Sequence, residues 1–448
     1  MDTQEAKFKK MTETPIARLI ISLAVPTVIS MLVSAIYNSA DAYFVSRIGT
    51  SASGAVGVVF SLMAIIQALG FAVGMGSGSI ISRLMGEKKG DEAAKIASSA
   101  LFMGIFFGIL IVIIVSFRMT FFMKAFGATD TMLPHAVSYG RYIAFGAPFM
   151  MGVYALNNIL RYQGNAKYGM IGVTSGAIIN IGLDPLFIFI FGMGAAGAAL
   201  ATLVSQIISF FILLSFFVSG KSTVGLSVKN ISRKASTYLG ILKIGLPSLA
   251  RQGFASVGVT LLNRSARTYG DAAVASMSIV GKIFMVIFAV MLGICQGYQP
   301  VLGINYGAKN YERVKKAFFC TLSLCFLVAV VLGTPVFIFA RRLMSFFTVD
   351  DELVIEYGIS AMRAQCLALI LIPINNITNT TLQVTGRSWT ATLIACMRQG
   401  IFFIPLILTL PHWFGISGVQ YSQPIADAVT SLCALPFGIS FLKSIKNE

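Results

Sequence analysis

The sequence predicts an all-α membrane protein with 12 transmembrane helices, arranged as two six-helix repeats, an N-lobe and a C-lobe, around a central cavity. Hydrophobic residues make up 56% of the chain and charged residues only 11%, whereas soluble domains carry about 25% charged residues. Apolar runs of roughly 20 residues or more, long enough to cross a ~30 Å hydrocarbon core, alternate with short charged clusters. Because backbone groups in lipid must be hydrogen-bonded within the segment, these runs are interpreted as helices.

The 12 predicted spans divide evenly between the two halves of the chain. In the N-lobe, residues 1–219, they are 16–46, 54–82, 93–117, 131–160, 168–190 and 195–219. A polar linker, 220–235, follows. In the C-lobe, residues 236–448, the spans are 236–268, 276–306, 314–340, 353–383, 389–411 and 416–442.

The second half repeats the pattern of the first at a constant offset of 221 residues. Coincident positions include Pro26 with Pro247, Gly49 with Gly270, Gly76 with Gly297 and Gly86 with Gly307. Duplicated apolar bundles are typical of secondary transporters, whose binding sites lie between the repeats. An even number of spans per half makes both halves begin on the same side of the membrane.

The distribution of basic residues predicts the orientation. Segments on the side of the termini hold most of the basic residues outside the spans, including Lys7, Lys88 and Lys89, whereas the other side holds few, such as Arg47 and Arg118. The positive-inside rule therefore places both termini in the cytoplasm, in a multi-pass protein of the plasma (cytoplasmic) or cell inner membrane. The net charge of +17 follows from this topology, so no nucleic-acid partner is expected.

Enzyme signatures are not found in the sequence. His135 and His412 have no metal-binding context, there is no P-loop or zinc spacing, and the six cysteines are interpreted as small apolar filler. The first apolar run has no evident cleavage site and is kept as a helix. We therefore expect no enzyme activity and no cofactor besides a coupling ion, and a monomer in the lipid bilayer.

Two carboxylates within the spans carry the strongest functional signal. Asp41 is the only acid of the first span and Asp184 the only acid of the fifth, and both are expected in the outer half of the membrane. A carboxylate in a helix interior costs roughly 2.5–3.5 kcal/mol, so it usually faces a cavity and marks an ion or proton path. Polar side chains expected to accompany them are Tyr139, Asn180 and Thr202, with Asn157 deeper in the membrane.

These residues form the predicted cation- or proton-coupling site. Two carboxylates held close in a poorly solvated pocket repel each other, and a bound proton or cation relieves the repulsion. A sodium ion could alternatively bind to oxygen atoms of Asp41, Asn180, Asp184 and Thr202. A structural alternative stays open, in which the acids solvate helix ends or pair with basic groups and the neutral polar side chains join helices.

The other charged residues within the spans have less definite roles. A pair between Arg398 and Asp427 is predicted in the last two helices. Arg251 and Lys282 could line a cavity and receive an anion, or extend to the membrane surface. The role of Arg363 is left open.

The chain resembles the multidrug and toxic compound extrusion (MATE) family of antiporters. The residues that carry the resemblance are Pro26 with Asp41, the segment Gly76-Ser77-Gly78-Ser79, Gly86, Gln163-Gly164, Asn180 with Asp184, Gly194 and Gly197 followed by Ala201-Thr202, and Gly415 and Gly418 followed by Pro424-Ile425-Ala426-Asp427. The resemblance implies a two-lobed, 12-helix transporter that exports small organic cations in exchange for protons or sodium. It also implies a cation site at Asp41, Asn180, Asp184 and Thr202, a nearby Tyr139 phenol, and a bend of the first helix at Pro26.

The C-lobe departs from some sodium-coupled members of that family, which are described as carrying carboxylates in helices 7, 8 and 10. Here those spans offer no such acid, and the tenth has Asn375 and Asn376 instead. Coupling is therefore expected in the N-lobe. The alternative function is a lipid-linked oligosaccharide flippase, which would use Arg251, Arg264, Arg267 and Lys282 to hold a pyrophosphate.

Overall fold

A computed structural model describes residues 3–348 and 351–445, and all regular structure in this part of the chain is helical. The remaining positions of the predicted lobes, 1–2, 349–350 and 446–448, lie outside the described residues. A short helix, α1, precedes the first membrane-spanning helix. The N-lobe elements are α1 (Thr3–Glu13), α2 (Ile16–Ser46), α3 (Thr50–Gly86), α4 (Gly90–Phe117), α5 (Met119–Ala125), α6 (Leu133–Tyr162), α7 (Ala166–Pro185) and α8 (Ala195–Val218).

The C-lobe repeats this order after a connection that contains only turns and one short 3₁₀ segment, Val228–Asn230. Its elements are α9 (Ala235–Arg267), α10 (Asp271–Gly307), α11 (Tyr311–Ile338), α12 (Ala340–Phe347), α13 (Glu352–Leu369), α14 (Ile372–Val384), α15 (Ser388–Cys396), α16 (Ile404–Phe414) and α17 (Ile416–Ser444). Segments of π-helix continue α7 at Leu186–Ile190 and join α15 to α16 at Met397–Phe403.

The predicted all-α membrane architecture is confirmed. Among the described residues, 10 helices are long and apolar enough to span a membrane, and the pair α13 and α14, bent by 50°, makes an eleventh. The one remaining predicted span, the seventh at 236–268, corresponds to α9, which has 33 residues. This helix is more polar than its repeat mate α2 because it carries Lys243, Arg251 and Arg264.

Helix α2 is shared between the two lobes. Its first half contributes Leu19, Ile20 and Leu23 to the hydrophobic core of the C-lobe helices. Beyond Pro26, its second half borders an N-lobe cavity through Ser30 and Tyr37. The proline therefore lies where α2 passes from one lobe to the other, at a position where its ring removes a backbone hydrogen bond.

Glycines bring the two lobes together in the half of the molecule nearest the termini. A Cβ on Gly76 of α3 would overlap the Ile241 carbonyl of α9, and one on Gly297 of α10 would overlap Ala24 of α2. These two contacts are repeat mates, since Gly76 and Gly297 are separated by the repeat offset. Gly86 and Gly307, also repeat mates, meet where α3 and α10 end. The lobes therefore pack backbone against backbone along a seam that follows the repeat symmetry.

We predict that Gly76→Ala lowers the thermal unfolding midpoint of the purified protein by several degrees. The added methyl would push α3 from α9, and overpacking of this kind costs about 1–3 kcal/mol. Gly57→Ala is the matched control in the same helix, because a Cβ there meets no atom within 4 Å. It should leave the midpoint unchanged or raise it, since alanine favours helix more than glycine does. Equal effects of the two substitutions would contradict a close-packed seam.

Candidate functional site

The carboxylate of Asp184 lies fully buried near the end of α7. Asn180 is one turn earlier on the same helix, and its amide, oriented to satisfy both neighbours, donates to Asp184 Oδ2 at 3.1 Å and accepts from the backbone N–H of Thr202 at 3.2 Å. Asp184 Oδ1 has no hydrogen-bond partner among the described residues. Three predicted site residues from two helices are therefore brought together, with one carboxylate oxygen left open.

The sequence around Asp184 accounts for this local structure. Pro185 follows directly and cannot donate a backbone hydrogen bond, and α7 widens immediately afterwards into the π-helical turn Leu186–Ile190. Such π turns inside α-helices occur frequently at functional sites. Here the turn lies beside the carboxylate, between α7 and the beginning of α8.

Asp41 approaches the same site from α2. Its charge acts on Asp184, and the charges of both acids act on the phenol groups of Tyr37 and Tyr139. The Tyr139 side chain is fully buried in α6, and Asp41 Oδ1 has no hydrogen-bond partner among the described residues. Four helices thus contribute to one polar cluster, which contains Asp41, Tyr139, Asn180, Asp184 and Thr202.

This cluster borders a cavity of about 230 Å³ within the N-lobe. Tyr37 and Asn180 belong to its lining, and Phe60, Met63 and Phe71 give the lining an apolar part. Asn157 also lines the cavity, but its amide donates to the Gly169 carbonyl at 3.0 Å. Asn157 therefore joins α6 to α7, away from the carboxylates, and is the one predicted site residue that lies outside the cluster.

The two carboxylates of the site are not paired with basic side chains. Among the described residues, no lysine or arginine nitrogen lies within 4.0 Å of either Asp41 or Asp184, whereas other acids have such partners. Open carboxylate oxygens together with amide and hydroxyl oxygens provide the ligands that hard cations prefer. The site can accept a proton, a sodium ion or a cationic group from the cavity, and each would reduce the same negative charge.

Two features of the cavity were missed in the sequence. Tyr37 precedes Asp41 by four residues, so its position on the same helix face could have revealed it. Arg161 closes the cavity near the lobe seam, where its guanidinium donates to Gln296 Oε1 at 2.8 Å and Gln299 Oε1 at 3.2 Å in the C-lobe. No sequence signal indicates that link, because the partners lie 135 and 138 residues apart.

In the C-lobe, the predicted pair between Arg398 and Asp427 is confirmed. Arg398 Nε donates to Asp427 Oδ1 at 2.7 Å, and Gln423 and Gln365 donate to the same carboxylate at 2.8 and 3.0 Å. The guanidinium also lies over the ring of Phe288. Both oxygens of Asp427 are therefore occupied, and its charge is balanced within the protein, unlike that of the N-lobe acids.

The remaining basic residues do not converge on the cavity. Lys282, Arg264 and Arg267 are exposed, and Arg251 donates to the sulfur of Met75 at 3.6 Å. Arg363 lies over the ring of Phe337. Among these residues, none lines the N-lobe cavity.

Comparison with known proteins places this architecture in a family. A relative of this chain is the multidrug export protein MepA of Staphylococcus aureus strain MSSA476, which is 27% identical over 438 residues and is aligned over 97% of this chain and 95% of its own. A solved structure described as the outward-facing conformation of a multidrug resistance MATE family transporter superposes with a TM-score of 0.92, at 27% identity and 98% coverage of both chains. A structure of MATE described as the bent conformation gives a TM-score of 0.91, at 26% identity and the same coverage.

The family model described as MatE matches twice, at residues 26–186 and 247–409. The two matches begin at Pro26 and Pro247, which are separated by the offset of the internal repeat. Since they cover most of the chain, the protein belongs to the MATE family of multi-span membrane transporters.

Proposed function

We propose that the protein is a secondary active multidrug efflux transporter, which exports organic cationic or amphipathic compounds by antiport with protons or sodium. Its coupling site is formed by Asp41, Asp184, Asn180, Thr202 and Tyr139. The observation that carries this proposal is the pair of carboxylates beside a partly apolar cavity, each with an open oxygen and no basic partner among the described residues. The multidrug export activity named for its relative supports the same substrate class.

The antiport mechanism follows from competition for one negative site. A cationic substrate in the cavity and a coupling ion at Asp41 and Asp184 would neutralise the same charge, so binding of one favours release of the other. A difference of one pH unit supplies about 1.4 kcal/mol per proton. A membrane potential of 100 mV supplies about 2.3 kcal/mol per charge moved, which suffices for uphill export of a drug.

The orientation that suits export has both termini in the cytoplasm, in the plasma membrane. The asymmetry of basic residues supports it, because the ends of α3 and α10 on the terminal side carry Lys88, Lys89 and Lys309. With this orientation, the glycine seam would close the cytoplasmic side of the transporter. The likeness to an outward-facing structure is consistent with a seam closed on that side.

Pro26 is the proposed hinge through which protonation of Asp41 and Asp184 would bend α2. The first half of α2 is fixed against α10 by the contact of Ala24 with Gly297, and Val28, two residues beyond Pro26, still contacts Gly293. The second half carries Asp41 towards α7. A bend near Pro26 would therefore move Asp41 relative to Asp184 while the anchored half stays in place.

The flippase alternative receives no comparable support. A pyrophosphate site needs several cationic groups directed into one cavity. Here Arg264, Arg267 and Lys282 are exposed, and Arg161, the one arginine that lines the cavity, is engaged with amide groups of the seam.

We predict that Asp41→Asn and Asp184→Asn each reduce drug efflux by about tenfold or more, which corresponds to about 1.4 kcal/mol of lost coupling. An amide keeps the size of the carboxylate but cannot carry its charge or take up a proton. Ethidium efflux from proteoliposomes, driven in separate experiments by a pH gradient and by a sodium gradient, measures the effect and identifies the ion.

Asp130→Asn is the matched control, because Asp130 is exposed outside the spans and pairs with Lys124 at 3.4 Å. It should transport at the wild-type rate. Wild-type efflux by both Asp41→Asn and Asp184→Asn would refute the N-lobe coupling site.

Pro26→Ala should give a correctly inserted protein that binds drug but transports it slowly. Alanine restores a backbone N–H that can bond to the Ser22 carbonyl and so stiffens α2. Pro247→Ala, in the repeat mate α9, should have a milder effect because α9 carries no acid. Drug binding and initial efflux rates of both variants test this, and equal, complete loss would mean that the two prolines serve folding instead.

Asn375→Ala and Asn376→Ala should change drug preference or have little effect, without removing the dependence on the ion gradient. Asn375 is buried and its Oδ1 has no hydrogen-bond partner in the part of the chain that the structure describes, but no carboxylate accompanies it in α14. Efflux measured with and without the ion gradient shows whether either variant has lost its dependence on the ion. Ion-independent efflux with intact drug binding would indicate a second coupling site in the C-lobe.

A further inference from the structure

Helix α1 forms a bridge between the lobes, outside the transport site. On one side, Asn305 donates to the Met11 carbonyl at 3.1 Å and Arg313 donates to the Thr14 carbonyl at 2.7 Å, which joins α1 and the turn after it to the C-lobe. On the other side, the methyl group of Met11 packs against Gly164, which follows α6 in the N-lobe. The helix therefore crosses the seam at the end of the molecule that holds the termini.

A cavity of about 240 Å³ lies beside α1. Its walls come from α1, from the end of α3, from Gln163 after α6, from the linker between the lobes and from Ile304 of α10. The floor is largely apolar, with Phe8, Met11 and Met85. None of the proposed coupling residues lines it, so it is separate from the N-lobe cavity.

Gln163 borders this cavity and has a buried side-chain amide whose oxygen and nitrogen can be told apart. Its side-chain oxygen accepts hydrogen bonds from Ser222 Oγ at 2.9 Å, Thr223 N at 2.9 Å and Val224 N at 3.3 Å. The two backbone N–H groups determine which end of the amide is oxygen, because they can only donate. The amide nitrogen is then left with no partner among the described residues, although the side chain is 0% exposed. A buried donor without an acceptor costs about 1–3 kcal/mol, so it indicates a missing partner.

Lys7 adds a partly buried positive charge to the same wall. Its ammonium donates to Thr223 Oγ1 at 2.9 Å and has no carboxylate within 4.0 Å among the described residues. Burial, together with the neighbouring charge of Lys10, lowers the pKa of Lys7 to about 8. Lys88, over the ring of Phe8, supplies a second cation, and exposed Glu5 is the one acid of the cavity.

We propose that this cavity binds the phosphate group of an amphiphilic ligand. Gln163 Nε2 and the Lys7 ammonium would donate to the phosphate oxygens, and Phe8, Met11 and Met85 would contact the apolar part. A phospholipid of the adjacent leaflet and a soluble organic phosphate share this chemistry. In either case the ligand would contact α1, α3, α10 and the linker together, so its binding would hold the two lobes closed at this end.

The experiment measures thermal unfolding of the full-length protein in a nonionic detergent with each of four probes. These are short-chain phosphatidylglycerol, diacylglycerol of the same chain length, glycerol phosphate and inorganic phosphate. Because a ligand that binds only the folded state stabilises it, the midpoint should rise by several degrees with a phosphate-bearing probe and not with diacylglycerol. A rise with phosphatidylglycerol alone identifies a lipid, and a rise with glycerol phosphate or inorganic phosphate identifies a soluble ligand.

Two variants test the named donors. Gln163→Glu keeps an oxygen that accepts from the linker and replaces the open amide nitrogen by a second oxygen, which repels an anion. Lys7→Met removes the charge and keeps most of the side-chain length. Each should weaken binding of the active probe by about tenfold or more, as expected for loss of a charge-assisted hydrogen bond.

Lys9→Met is the matched control, since it removes the same charge from the same helix. The Lys9 side chain is 58% exposed, and its ammonium lies 3.9 Å from the Glu13 carboxylate. It should bind the probe as the wild type does. The proposal is overturned if no probe raises the wild-type midpoint, if diacylglycerol acts as well as phosphatidylglycerol, or if Lys7→Met and Lys9→Met respond alike. Should Gln163→Glu fail to fold, the comparison of the two lysine variants still decides the outcome.

Discussion

The close approach of α2 to α10 and of α3 to α9 is the contact on which the rest of the molecule depends. In a membrane there is little hydrophobic drive for helices to associate, so tight backbone packing at small residues supplies much of the attraction. Gly76 and Gly297 allow this approach at positions related by the repeat. The contact fixes the first half of α2 against the C-lobe and leaves its second half to form a wall of the N-lobe cavity.

The buried carboxylates of the two lobes differ in whether a basic side chain neutralises them. Asp427 and Asp184 are both buried carboxylates, but Asp427 is neutralised by Arg398 and receives further hydrogen bonds from glutamines. Breaking a buried ion pair leaves an uncompensated charge and is strongly unfavourable, so the C-lobe arrangement is expected to persist through transport. Each of the N-lobe acids Asp41 and Asp184 has one oxygen without a hydrogen-bond partner among the described residues. Under the proposed mechanism, the N-lobe would therefore respond to an ion, whereas the charges of the C-lobe pair would stay constant.

The proposed coupling site and the proposed phosphate site lie in different parts of the molecule, and both involve the contact between the lobes. The coupling site borders a cavity whose wall includes the second half of α2, beyond Pro26. The phosphate site lies where α1 crosses the closed seam. Opening the seam would separate Met11 from Asn305 or from Gly164, because these contacts belong to different lobes. A ligand held by Gln163 and Lys7 would therefore act on the lobe movement without competing for the drug cavity.

The sequence by itself determined the helical membrane class, the internal repeat and the approximate limits of the spans, because lipid imposes a minimum length and an apolar composition on each helix. The predicted first span coincides with α2, Ile16–Ser46. Isolation in apolar helices also singled out Asp41 and Asp184, since placing a charge in lipid is costly. The Arg398–Asp427 pair could be anticipated because few other charges were available to either residue.

Only the tertiary structure decided how these groups meet. It turned the amide of Asn157 to the backbone of α7, and it linked Arg161 to glutamines of the other lobe. It also left the Gln163 nitrogen open after its oxygen had been occupied by the linker. Such contacts join residues from 12 to 138 positions apart, and their direction depends on helix rotation and packing depth. A one-dimensional pattern of apolar and polar residues fixes neither quantity.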